Sequence, residues 1–424
     1  MRFRAHLASA SAVLALAVWL SSGTMAPYAA TFAYPVVTAP CGYLVNVDHP
    51  HHEGVFQMLD GQPPNRWQHS LVLRRLLFPL WAYPSMKVGG FEAGGFVASL
   101  LCQVTALWLL ALHLRRRWGE PAAIAGTWLL AVYPGITYWA ALPYAYAAIV
   151  PASIGLVILL ARIDERRGWR QMIGPAAAMG LLFTAYDLAP YFGLAAVLLL
   201  VRRRRFADLP VALVGMALAP VGSLLLLKLV FHAPLSNGNT AIYGMVLRAY
   251  LHPPTVGVWL RSLADFPSVL LANFVFSNLV FLPVLFLAVV AITRQRPTLV
   301  EGSVMAAVGA VFLFNNLAPP YAGRWQMRGD FIPRLYQPIF VALLIYGARA
   351  IGGAGALPRP KRVLLMALTA LTVLGNASVA FGPVARVPWA GTIYQAFYQH
   401  SPPGTLEQNL TRYGRRPLGF CRRF

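Results

Sequence analysis

The residues best equipped for chemistry gather near the start of the chain, in residues 46–60: Asn-Val-Asp-His-Pro-His-His-Glu-Gly-Val-Phe-Gln-Met-Leu-Asp. Asp48, Glu53, Asp60 and the histidines His49, His51 and His52 share this stretch, in a protein of which only 11% is Asp, Glu, Lys or Arg. A carboxylate placed against a reacting hydroxyl takes its proton, so Glu53 or Asp48 is a candidate general base. Each also has a plainer role open to it. Asp48 precedes Pro50 at turn spacing, a common use of Asp, and Glu53 can complement the positive end of a short helix. Imidazole and carboxylate are metal ligands, but this spacing matches no helical pair of the HExxH kind. No metal ligand is therefore assigned, and a divalent cation stays open as a cofactor.

Further candidates stand apart from that stretch. Residues 66–69 read Arg-Trp-Gln-His, which adds His69 as a substrate contact. Residues 71–83 then mix apolar positions with Arg74 and Arg75, too short and too charged to span a bilayer. That pattern predicts an interfacial helix in the headgroup plane with its arginines turned toward phosphates. Asp187 lies near the end of an apolar run, where an acid is expensive and functional by default. Arg324, Arg328 and Arg334 crowd the start of a late apolar run, with Asp330 among them to orient or neutralise them. Guanidinium forks suit phosphate oxygens; the plainer reading of Arg334 is an anchor for a helix end.

The elements that must position these residues are membrane helices. The chain is 58% hydrophobic with a mean hydropathy of +0.59, and apolar runs of about 18 or more residues recur along it. A bilayer offers backbone groups no water, so spanning segments are helices or a closed barrel, and these runs are too long for barrel strands. The expected fold is an all-α polytopic integral membrane protein. Its first run, residues 7–20, is a cleaved signal peptide or a retained first helix; either reading sends residues 28–87 outside. Further spans are expected at residues 88–113, 121–139, 142–161, 172–187, 189–201, 209–231, 267–292, 299–317, 334–351 and 362–383.

Alternating these spans puts Arg115–Arg117, Arg162 to Arg170, Arg202–Arg205, Arg294 with Arg296, and Arg349 to Arg362 all on one side. That agreement supports about eleven spans, with the N-terminus cytoplasmic and the C-terminus outside. Residues 1–383 form the membrane domain and 384–424 a basic outer tail. The net charge of +22 sits at the ends of apolar runs, so it marks topology and headgroup contact rather than a nucleic-acid groove. Cys41 and Cys421 both fall outside, where a disulfide between them is possible. Trp81, Tyr83, Tyr138, Trp139, Tyr144 and Tyr146 read as an interfacial belt. No Gly-rich phosphate loop or soluble nucleotide domain is present in the sequence, which argues against a primary pump and against direct use of a cytosolic nucleotide-sugar.

Several of these residues stand in an order that resembles the GT-C membrane glycosyltransferases, including the dolichyl-phosphate-mannose–protein mannosyltransferases of family 39. Glu53-Gly54-Val55-Phe56 resembles their acidic-Gly-x-aromatic element in the first outer loop, and Arg75-Leu76-Leu77-Phe78-Pro79 the segment that follows. Tyr133-Pro134-Gly135, residues 180–191 and Pro333-Arg334-Leu335-Tyr336-Gln337-Pro338 resemble later elements, so the likeness covers most of residues 40–350. It implies a GT-C-like bundle that moves a sugar from a polyprenyl-phosphate carrier to a lipid or glycan acceptor at the outer face of a bacterial inner membrane. Family members often carry a second acid in the next outer loop; residues 138–146 have none, and Asp187 is the substitute. Two rival classes remain: a transporter or flippase for a lipid-linked glycan, and a degenerate scaffold. Transport favours charge buried in mid-span, for which Lys228 is the candidate, close enough to a helix end to snorkel.

Overall fold

The computed structural model describes residues 2–31, 37–38, 44–45, 75–133, 136, 145–229, 251, 255–264, 281–317 and 337–381. Its helices are α1 (Arg2–Thr31), α2 (Leu77–Ala131), α3 (Ile149–Glu165), α4 (Trp169–Phe183), α5 (Ala189–Arg202), α6 (Leu209–Leu229), α7 (Val256–Ala264), α8 (Phe281–Thr293), α9 (Leu299–Asn316), α10 (Gln337–Gly352) and α11 (Arg359–Phe381). Beside them stands one antiparallel ladder of two-residue strands, with Val37 opposite Val45 and Thr38 opposite Leu44. The described residues thus form a helical membrane protein. Ala93–Ala131, Tyr146–Glu165, Phe206–Leu226 and Gln337–Ala356 are long and apolar enough to cross a bilayer, and α5 and α9 are shorter apolar helices.

Glycine divides α2 into three pieces. Gly90 and Gly119 hold φ of 76° and 85°, a region that costs other residues a steric clash, and the chain reverses at both. Across the first reversal, Trp81 Nε1 donates to the Ala98 carbonyl (3.1 Å) and Ser85 Oγ to the Gly94 carbonyl (2.8 Å). A side chain at Gly94 would collide with the Ser85 backbone. The segment that follows Arg75 therefore folds back against the start of the next piece, at Gly94 and Ala98. Hydropathy sees its charged, mixed face; it does not see the turn. Across the second reversal, Gly126 packs on Leu114 and Ala348, and Gly352 packs on Ala122, which lays residues 120–131 antiparallel to α10. Lipid supplies no hydrophobic drive between helices, so close approach through small residues carries this packing.

The basic loops do converge on one end. Phe3 lies under the Arg115 guanidinium at 4.6 Å, which puts the start of α1 there too. Arg117 pairs with Glu165, and Arg203 grips Asp164 with both arms, at 2.6 and 2.7 Å. Arg205 pairs with Asp208 at 2.7 Å and donates to the Ile163 carbonyl at 2.7 Å. Arg349 reaches Glu301 at 3.2 Å and the Arg296 carbonyl at 2.8 Å. Glu301 also closes the capping box that starts α9, with Thr298 as its partner. Lys228 is exposed in the last turn of α6, as a snorkelling lysine would be.

Candidate functional site

The short connection between α4 and α5 builds one side of the site. Helix α4 stops at Phe183, the Thr184 and Ala185 amides turn back to the Leu181 and Leu182 carbonyls, and Pro190 opens α5. A proline tolerates the first turn of a helix but not its interior, so the break falls between Phe183 and Ala189. Asp187, expected inside the end of a span, consequently sits in this turn. The other side of the site is the segment leading into α2. The Leu77 amide donates to the Thr184 carbonyl at 3.3 Å, which fixes that segment against the turn.

At this junction Arg75 Nη2 meets Asp187 Oδ2 at 2.7 Å, with side chains only 5% and 14% exposed. Two residues singled out separately from the sequence, one for phosphate contact and one for acid chemistry, form a single buried pair. The Arg75 guanidinium lies 4.0 Å from the Tyr186 ring centroid and 5.9 Å from that of Tyr146. The two rings meet edge to face, 5.6 Å apart. Aromatic faces compensate a desolvated guanidinium by roughly 0.5–2 kcal/mol, so the cage and the carboxylate together make burial of this cation tolerable. Arg75 accordingly points into the bundle.

Tyr146 is held from behind. It lies in the single 3₁₀ turn Ala145–Ala148 before α3, and the buried Gln103 amide of α2 donates to the neighbouring Ala147 carbonyl. Neither Gln103 nor Tyr186 was a site candidate from the sequence, and Tyr146 was read as belt. The available signal was Gln103 itself, an amide inside an apolar run, because buried polar groups demand partners.

Arg75 and Asp187 are the predicted site residues that fall within the described structure. Glu53, Asp48, His69, Arg324, Arg328, Asp330 and Arg334 lie outside the described residues, as do Cys41 and Cys421. Cys102 is a free thiol in α2. Among the described residues no three His, Cys, Asp or Glu side chains gather in a metal-binding group. Chemically, the junction offers a preset cation whose counter-ion is already in place. Asp187 spends one oxygen on Arg75, which suits it to orient that cation better than to accept a substrate proton.

The described residues thus define a polytopic helical membrane protein with a buried guanidinium–carboxylate pair at the end away from its basic loops. No family model matches the chain, and no curated protein matches it. Among solved structures it is similar to two crystal structures of ArnT from Cupriavidus metallidurans. One is bound to undecaprenyl phosphate, at 14% identity and a TM-score of 0.44, covering 93% of this chain and 76% of that one. The other is the apo state, at 14% identity and a TM-score of 0.41, covering 94% and 78%. Likeness at this level assigns neither an activity nor a residue.

Proposed function

We propose that the protein is a GT-C-like membrane glycosyltransferase that moves a sugar from a polyprenyl-phosphate-linked donor to an acceptor at the outer face, with inversion. The observation that carries this reading is the Arg75–Asp187 pair. A caged, oriented guanidinium beside the start of α2 is the group a departing lipid phosphate needs. In the reaction, Glu53 (or Asp48) takes the proton of the acceptor hydroxyl as its oxygen bonds to the anomeric carbon. The bond from that carbon to the phosphate oxygen breaks, and the lipid phosphate leaves with the bonding pair. Charge gathers on the phosphate as the sugar becomes oxocarbenium-like. Preset cations stabilise it without reorganising. Arg75 supplies one, and Arg324, Arg328 and Arg334, oriented by Asp330, supply the others. His69 contacts the sugar. Asp187 holds Arg75.

Purified full-length protein supplied with a panel of polyprenyl-phosphate sugars should release lipid phosphate. Glu53→Gln or Asp48→Asn should lower turnover by about 10²–10⁴-fold, the range of general base catalysis. Transfer that survives both substitutions removes the base assignment. Absence of turnover with every donor, combined with scrambling of lipid-linked glycan across liposomes, replaces the transferase by a transporter.

A further inference from the structure

The basic end of the bundle carries charge that its own acids do not neutralise. In the loops joining α3 to α4 and α5 to α6, each carboxylate is already engaged: Asp164 by Arg203, Glu165 by Arg117 and Asp208 by Arg205. Arg166, Arg167, Arg170 and Arg204 are exposed, and none forms an ion pair with a described residue. Arg204 holds φ of 57°, a conformation in which glycine would be less strained.

These two loops form one platform. Arg203 bridges to Asp164, and Arg205 reaches the Ile163 carbonyl and the Met172 sulfur, the latter at 4.0 Å. Helices α4 and α6 start from the platform side by side and run parallel. They are locked where Gly180 meets the Met216 carbonyl and Gly215 meets Ala176. Two apolar side chains project beside the arginines: Trp169, the first residue of α4, is 58% exposed, and Phe206, just before α6, is 62% exposed. The Arg170 guanidinium lies 5.3 Å from the Trp169 ring. Beyond them α6 turns Leu213, Val214, Leu218, Val221 and Leu225 outward, a spacing that keeps them on one helical face.

We propose that this platform is a binding site for an anionic phospholipid of the adjoining leaflet. Its phosphate contacts Arg166, Arg167, Arg170 and Arg204, its chains lie along the exposed face of α6, and Trp169 with Phe206 sits at the level of the ester linkages. Basic pockets beside membrane helices are suited to such headgroups, and amphipathic rings favour the interface. A second copy of this chain is the wrong occupant, because in the same orientation it brings the same unneutralised arginines. The site lies at the opposite end of the bundle from Arg75 and Asp187 and does not depend on the transferase reading.

Native mass spectrometry of the full-length protein, with phosphatidylglycerol or phosphatidylcholine added, tests the site. Phosphatidylglycerol should bind at least tenfold more tightly, and a variant with Arg166→Gln, Arg167→Gln, Arg170→Gln and Arg204→Gln should lose that preference. A control with Arg359→Gln, Lys361→Gln and Arg362→Gln, exposed at the start of α11, should keep it. Equal loss in both variants means diffuse surface charge and overturns the site, as does undiminished phosphatidylglycerol binding in the first. A dimer that covers α6 and excludes lipid overturns it too. If the first variant fails to insert, Trp169→Ala with Phe206→Ala, which keeps every charge, carries the test. It should weaken phosphatidylglycerol binding severalfold, and unchanged binding is a negative result for the proposal.

Discussion

Arg75 and Asp187 are 112 residues apart in sequence and each is costly to bury alone. Taking one charge out of water costs several kcal/mol, and removing the partner of a buried pair leaves that cost uncompensated, about 3–5 kcal/mol. Arg75→Met and Asp187→Leu should each destabilise by an amount of that order, read as thermal unfolding in detergent. The double variant Arg75→Met with Asp187→Leu should lose much less than their sum, since an apolar replacement of a buried pair is close to neutral. Strict additivity would mean the two do not interact. At this scale the sequence was legible in part. Residue type marks Asp187, because an acid next to apolar helix is conspicuous, and motif order marks Arg75. Their pairing is not legible, because it depends on the reversal at Gly90 and on the break before Pro190. The tyrosine cage is hidden for a further reason: an aromatic residue at the end of a membrane helix looks the same in sequence whether it faces a headgroup or a cation.

Helix existence was largely readable from apolar run length, and most expected spans have a helix near their expected bounds, as with residues 189–201 against Ala189–Arg202. Residues 265–280 and the polar lead into α10 lie outside the described structure. The departures arise where backbone chemistry outweighs hydropathy. The first helix extends to Thr31, beyond its apolar run, and the segment after Arg75 is one arm of a hairpin. The Gly89-Gly90 pair is a turn signal that an apolar count passes over. Glycines also decide how helices meet, which gives a paired prediction within α4. A side chain at Gly180 would come within 2.6 Å of the Met216 carbonyl oxygen, whereas one at Gly174 meets nothing within 4 Å. Gly180→Ala must push α6 away and should lower stability by about 1–3 kcal/mol, the usual range for overpacking. Gly174→Ala adds helix propensity in open space and should be neutral or raise stability by up to about 1 kcal/mol. Thermal unfolding of the two variants checks the sign of each, and equal effects would mean α4 and α6 are not held by this contact.

For the whole molecule, the spacing of charge along the chain and the packing of the bundle agree. Alternation of spans puts five basic clusters on one side, and side-chain contacts join them. Arg115 meets Phe3, Arg117 meets Glu165, Arg203 meets Asp164, Arg349 meets Glu301, and the Arg202 guanidinium lies 3.3 Å from where a Gly302 side chain would begin. The acids at this end do more than neutralise. By drawing Arg117 and Arg203 across from one loop to the next, Glu165 and Asp164 tie neighbouring helix ends together while leaving a net positive rim. A positive rim resists translocation, so the end that holds α1's start and these loops should face the cytoplasm, and the Arg75–Asp187 junction should open outward. Single cysteines introduced into a background lacking the native three can report this with a membrane-impermeant maleimide. Arg167→Cys and Arg296→Cys should react only after cells are permeabilised, and Lys87→Cys, exposed near the Gly90 reversal, should react in intact cells. The reverse pattern would turn the bundle over and place the buried pair on the cytoplasmic side, where no extracytoplasmic acceptor reaches it. Labelling of Arg167→Cys and Arg296→Cys from opposite sides would be incompatible with the helix packing itself, because Arg296 and Arg167 belong to loops that these contacts bring to one end.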